Sequence, residues 1–140
     1  MEFISKTTAE TQKIGSDFTK TLISKTPITV GLIGDLGSGK TTFVQGMAKG
    51  LGIDPRYYVN SPTFTMVNEY HGKKVNLIHV DLYRIEKPLE IETLALEEYL
   101  HSGKIVVIEW SEKLEKKLDY EVRFEMISEK ERKIEVTPYV

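Results

Sequence analysis

Eight consecutive residues, Gly34-Asp35-Leu36-Gly37-Ser38-Gly39-Lys40-Thr41, match the pattern G-x-x-x-x-G-K-[ST] in full. Glycines at these spacings let the backbone curl so that successive N–H groups point at phosphate oxygens. A helix opening directly after the loop adds the positive end of its dipole. Lys40 brings a compact positive charge within reach of β- and γ-phosphates, and Thr41 offers a hydroxyl to magnesium. Leu36, Gly37, Ser38, Gly39, Lys40, Thr41 and Thr42 are therefore the candidate phosphate-binding residues. A chance glycine-rich turn is the plainer alternative. Context disfavours it, because an apolar strand pattern precedes the motif and a helical one follows, as phosphate binding requires.

A phosphate loop needs an acidic partner for the metal or its water shell, normally at the C-terminal end of a neighbouring strand. Asp81 closes Leu77-Ile78-His79-Val80, and Glu109 closes Ile105-Val106-Val107-Ile108. Either could bind the ion through water while the other orients or deprotonates an attacking water. A lone acid at a strand end is usually just solvated; two beside a phosphate loop favour function. Lys40, Asp81 and Glu109 are the catalytic candidates, and residue type alone leaves open which acid touches the metal.

These groups need a scaffold. Thr7-Thr8-Ala9-Glu10 reads as a capping box, with Thr7 as cap, opening a helix over about 8–24 in which Ile14, Phe18 and Leu22 share one face. Pro27 introduces the strand Ile28-Thr29-Val30-Gly31-Leu32-Ile33, and a helix from Lys40 to about Lys49 ends at Gly50 and Gly52. Residues 63–84 suggest two strands around His71-Gly72-Lys73-Lys74. Pro88 precedes a helix over about 89–101, stopped by Gly103. The all-apolar run 105–108 is a strand covered on both faces. Ser111 caps a short helix carrying Leu114 and Leu118, and alternation from Tyr120 to Val136 predicts a closing hairpin. Alternating strands and helices imply an α/β fold in three layers, with a mainly parallel sheet and antiparallel additions.

The 140-residue length supports one domain over 1–140, enough to bury roughly 68–70% of the unfolded surface. The absence of cysteine excludes thiolate metal sites and disulfides, and with a polar start it points to a reducing, cytoplasmic setting. Apolar runs are far too short to span a membrane. A net charge of −2 provides no basic field for holding nucleic acid unaided, so any RNA contact is expected to run through a partner.

No N-K-x-D motif or L-S-G-G-Q signature occurs, which sets aside guanine-specific GTPases and ABC-type ATPases. Only Arg56, Arg84, Arg123 and Arg132 are present, too few for an arginine-rich kinase lid. At Gly34 to Thr42, Ser61-Pro62-Thr63-Phe64, His79-Val80-Asp81-Leu82-Tyr83-Arg84 and Ile108-Glu109-Trp110-Ser111-Glu112 the chain resembles the bacterial TsaE (YjeE) family. Glu10-Thr11, Gly15 and Arg132 extend the resemblance to nearly the whole chain. It implies a P-loop ATPase using ATP and Mg2+ in tRNA threonylcarbamoyladenosine synthesis. Its partners would be TsaD and TsaB, which place threonylcarbamoyl on adenosine 37 of tRNAs reading ANN codons. The resemblance further implies that Thr41 and Glu109 coordinate magnesium, that Asp81 lies near the phosphates, and that Thr11 and Arg132 flank base and ribose. Two departures affect helix packing and a loop: Leu94-Ala95-Leu96 stands for the usual L-G-L, and Leu118-Asp119 for Leu-Pro.

Thr63 is a candidate switch threonine sensing the γ-phosphate, set against a plain proline-fixed loop. Arg84 reads as a phosphate or partner contact or a surface arginine, and Trp110 as a core or rim aromatic. His71, His79 and His101 read as structural or exposed. The scarcity of arginine predicts slow turnover alone, with a partner completing the site. The competing functions are a small-molecule kinase and a nucleotide-gated binding module.

Overall fold

The computed structural model describes residues 1–57, 59–62, 66–87, 90, 98–99, 104–114 and 116–139. It begins with a strand that sequence pattern did not reveal, Glu2–Ser5 (β1). Four residues with only Ser5 fully buried carry too little alternation to stand out. The capped helix follows at Thr8–Leu22 (α1), with one 3-10 turn, Ile23–Lys25, completing the expected span. Thr7 Oγ1 accepts from the Glu10 amide at 3.0 Å, while the Glu10 carboxylate accepts from the Lys6 amide at 2.6 Å instead of from Thr7. Two orphan donors are thus satisfied, one residue further back than a standard capping box. Beyond a cis Thr26–Pro27 bond come Ile28–Ile33 (β2) and Lys40–Gly50 (α2). The remaining described strands are Val67–Tyr70 (β3), Leu77–Asp81 (β4), Ile105–Glu109 (β5), Tyr120–Met126 (β6) and Arg132–Pro138 (β7).

The seven strands form one sheet in the order β1-β7-β6-β2-β5-β4-β3. Its centre is parallel, β2 pairing with both β5 and β6 and β4 with β5, and its edges are antiparallel. All five residues of β4 and of β5 are buried, as the apolar runs predict for central strands. On one face α1 and α2 cover Val30, Leu32, Leu77, Val107, Val122 and Ile134. Phe43 anchors this layer, edge-on to Phe124 with ring centres 5.3 Å apart. Truncating such a buried ring typically costs about 3–5 kcal/mol.

The two helices touch at backbone level. A β-carbon at Gly46 would lie 2.0 Å from the Gln12 carbonyl oxygen, and one at Gly15 would lie 2.3 Å from that of Phe43. Glycine is required at this crossing because nothing larger fits.

On the opposite face, Ile78, Val80, Leu82, Ile85, Val106 and Ile108 pack with Tyr99, Trp110, Leu114 and Leu118. Of the helix expected over 89–101, which would complete the third layer, only Glu90, Glu98 and Tyr99 are described, and these are helical; Thr63, Phe64, residues 94–96, His101 and Gly103 lie outside the described residues. Ser111 is not a helix cap. It opens a single 3-10 turn, Ser111–Lys113, preceded by Trp110 in the left-handed region, and Leu114 already returns to extended backbone. At Leu118-Asp119 the Asp119 carboxylate accepts from the Thr29 amide at 2.9 Å and its hydroxyl at 3.1 Å. The Asp119 amide donates back to Thr29 Oγ1 at 3.0 Å, a bond that proline could not make.

Candidate functional site

The four parallel strands end on one edge of the sheet, and there a cleft of about 570 Å³ opens. Leu36, Gly37, Gly39, Lys40, Thr41 and Thr42 line it from the loop, Asp81 and Glu109 from β4 and β5, and Thr11 and Arg132 from the far wall. Gly37 and Gly39 take φ of +79° and +105°, which side-chain-bearing residues rarely adopt. With glycine as its N-cap, α2 has no side-chain cap. Its first amides, at Lys40, Thr41 and Thr42, are left for an anion. Ser38 departs from the expected arrangement. It is buried behind the loop, its amide donates to the Asp35 carbonyl at 3.1 Å, and its hydroxyl has no partner among the described residues.

Lys40 is held inside the loop. Its Nζ donates to the Gly34 carbonyl at 2.6 Å and lies 3.8 Å from the centre of the Trp110 ring. Burial pushes the ammonium below its ordinary pKa, against the opposing pull of Glu109, Glu112, Asp81 and Asp35. Desolvation wins because carbonyl and ring replace water without supplying a full negative charge. Trp110 has φ +61°, donates its amide to the Leu32 carbonyl at 3.1 Å, and packs on Tyr83 with ring centres 5.3 Å apart. The sole tryptophan is thus a rim residue over the phosphate-loop lysine.

The β4–β5 register sets Asp81 opposite Glu109. Their environments differ. Asp81 Oδ1 accepts from the Tyr83 amide at 2.8 Å and Oδ2 from the Ser61 hydroxyl at 2.5 Å, so Ser61 ties the segment after α2 to this carboxylate. Glu109 Oε2 lies 3.5 Å from Thr41 Oγ1 and 2.5 Å from His79 Nε2. Of the two acids, Glu109 is the one drawn toward Thr41.

A magnesium ion prefers hard oxygen ligands, and Thr41 and Glu109 offer a hydroxyl and a carboxylate. Two oxygens each about 2.1 Å from one ion are at most about 4.2 Å apart, a limit that their 3.5 Å separation respects. Among the described residues no group of three or more His, Asp or Glu could hold a metal. Two protein oxygens with water and phosphate completing the shell is the donor set magnesium commonly uses.

The far wall joins both ends of the chain. Thr11 Oγ1 and Ser5 Oγ are 2.6 Å apart. Arg132 donates through Nη1 to the carbonyls of Ser128, Glu129 and Glu131, and through Nη2 to that of Gly37 at 3.3 Å. The guanidinium therefore staples the β6–β7 turn to the phosphate loop. Lys6, Thr7, Thr8, Tyr83, Glu129 and Lys130 also line the cleft without having been singled out as site residues. Their types recur all over protein surfaces; the β1–β7 pairing brings the residues near both chain ends here, and Tyr83 comes with Asp81 from the end of β4. Ser61 had a local signal in Ser61-Pro62-Thr63-Phe64, a segment in which Thr63 is the more usual switch residue type.

A family profile described as Threonylcarbamoyl adenosine biosynthesis protein TsaE matches residues 5–135. Relatives carrying the name tRNA threonylcarbamoyladenosine biosynthesis protein TsaE include one from Bacillus subtilis, 48% identical over 90 residues. That match covers 64% of this chain and 54% of the relative, so the chain spans about half the length of that protein. The Haemophilus influenzae relative is 40% identical over 104 residues, covering 72% of this chain and 65% of its own length. The Aquifex aeolicus relative is 36% identical over 135 residues, covering 96% of this chain and 94% of its own.

Proposed function

Because the chain belongs to the TsaE family, we propose that it is a magnesium-dependent P-loop ATPase of tRNA threonylcarbamoyladenosine synthesis, acting at position 37 of tRNAs that read ANN codons. The observation that carries the reading is that Lys40 and Thr41 share one cleft with Asp81 and Glu109. A phosphate loop between a central parallel strand and the next helix, facing acids on two neighbouring strands, is the arrangement of a P-loop NTPase fold.

The residues divide the work. The amides of the loop and of the first turn of α2 receive the phosphate oxygens. Lys40 leaves the Gly34 carbonyl and the Trp110 face to meet the β- and γ-phosphates, where its charge is balanced. Thr41 and Glu109 would hold the metal. Magnesium, when bound, neutralises negative charge on the β- and γ-oxygens. Asp81, fixed by Ser61 and Tyr83, orients the attacking water in line with the γ-phosphate. Thr11 and Arg132 border the base and ribose.

The partners are TsaD and TsaB, with tRNA reached through them, in the cytoplasm. No described helix is long and apolar enough to cross a membrane. Arg132 is the arginine lining the cleft among the described residues, and its bonds face the loop backbone, so it is not poised as a catalytic finger. Turnover is therefore slow alone and rises with the partners. The test measures phosphate release from ATP with and without TsaD–TsaB, together with threonylcarbamoyladenosine formed on tRNA over many cycles. Equal release in both arms removes partner completion. Transfer of labelled phosphate to a small metabolite, or undiminished nucleotide binding in Lys40→Ala, removes the ATPase reading.

A further inference from the structure

The phosphate chemistry leaves the polar side chain of His79 in β4 without a task, yet it is fully buried at the edge of the site. The alternation of β4 sets His79 on the same face as Leu77 and Asp81, and its Cα partner in β5 is Val107, two residues before Glu109. From there His79 Nε2 reaches Glu109 Oε2 at 2.5 Å. A carboxylate only accepts, so Nε2 carries the hydrogen and donates it. The other ring nitrogen, Nδ1, has no partner among the described residues. Among the described residues the ring therefore makes a single polar contact, and that contact is to Glu109.

This geometry restricts Glu109 in a specific way. The carboxylate is buried, and its Oε2 is bound from below by the imidazole while also facing Thr41 Oγ1 at 3.5 Å. A side chain with three torsions and one short, charge-assisted bond at its tip loses most of its alternatives. We propose that His79 is a positioning residue that fixes the rotamer of Glu109, so that its carboxylate meets a magnesium ion held jointly with Thr41. The inference rests on the magnesium–nucleotide reading above and adds a residue to it. A histidine that merely filled core volume would be replaceable by an apolar side chain of similar size, with no effect on metal affinity. A histidine that orients a metal-binding carboxylate would not, because outer partners of metal ligands typically contribute about 10–100-fold in metal affinity.

The experiment uses Mn2+ as probe, titrated by electron paramagnetic resonance into the full chain saturated with ADP, beside calorimetric ADP binding in EDTA. The variants are His79→Leu and His79→Gln, the latter placing an amide N–H near the position of Nε2. The expected result is a loss of about tenfold or more in Mn2+ affinity for His79→Leu, metal-free ADP affinity within twofold of the parent, and recovery of most of the loss in His79→Gln. Mn2+ affinity within twofold of the parent in His79→Leu overturns the positioning role, as does an equal fall in metal-free ADP binding or a failure of glutamine to rescue. Should the leucine variant not fold, glutamine at parent-like affinity together with His79→Asn, whose shorter amide cannot reach, at tenfold loss carries the same decision. If the parent itself binds Mn2+ no better with ADP than without, the magnesium–nucleotide reading fails and takes this inference with it.

Discussion

Trp110 lies over the ammonium of Lys40, the ring centre 3.8 Å from Nζ, so the indole and an incoming phosphate would share one charge. The contact competes with ligand. Removing the ring in Trp110→Leu is expected to tighten ATP binding by up to about 2 kcal/mol, the worth of a desolvated cation–π contact. Calorimetric titration checks it, and weaker binding would mean that the indole instead supports the bound nucleotide.

Lys40 also gives stability a pH dependence. Burial lowers its pKa in the folded chain from the ordinary 10.5, so the folded state releases this proton before the unfolded chain does. Between the lowered value and 10.5 the unfolded state holds more protons, and stability contributed by this group rises with pH. In Lys40→Met that component is expected to vanish. Urea unfolding at several pH values up to 10.5 compares the slopes, and parallel slopes would rule the linkage out.

Helix crossing supplies a test unrelated to ligand. Gly46→Ala gains intrinsic helix propensity, yet its methyl would stand 2.0 Å from the Gln12 carbonyl oxygen, a backbone atom. Overpacking outweighs propensity, and a net loss of about 1–3 kcal/mol is expected. Thermal unfolding reads it directly; an unchanged or raised Tm would show that α1 and α2 can part freely.

Asp119→Ala strands the Thr29 amide at the start of the central strand, which the carboxylate otherwise caps at 2.9 Å. The expected cost is about 1–3 kcal/mol, with Asp119→Asn recovering much of it because an amide oxygen still accepts. Denaturant midpoints for the two variants decide the point. Equal losses would assign the effect to charge, not to the hydrogen bond.

The phosphate loop, both acids and six of the seven described strands were legible because each rests on local spacing: the glycines of 34–41, the two arms around His71-Gly72-Lys73-Lys74, the apolar runs into Asp81 and Glu109, and the alternation after Tyr120. Central strands announce themselves since both of their faces are buried. What escaped notice depends on contacts between distant segments. β1 owes its place to β7, and nothing in four half-exposed residues announces that. His79 read as an ordinary structural histidine because its partner is 30 residues away and no ligand spacing accompanies it. Ser111 looked like a cap, but Trp110 ahead of it adopts left-handed backbone and the turn closes after three residues. Residue type suggested an open choice between Asp81 and Glu109. Only the fold shows that one is tied to Ser61 and Tyr83 and the other faces Thr41.

The clasp between the first strand and the last has a consequence for a chain still being made. The phosphate loop is synthesised early, with β2 before it and α2 after it. Arg132 and the strand that anchors β1 come almost a hundred residues later. A nascent chain on the ribosome thus carries the phosphate-gripping motif without the opposite wall of the cleft. Closing the sheet waits on β6 slotting beside β2 and β7 reaching back to β1, pairings of long sequence separation that form slowly. The cleft gains both of its walls only once translation has passed residue 138.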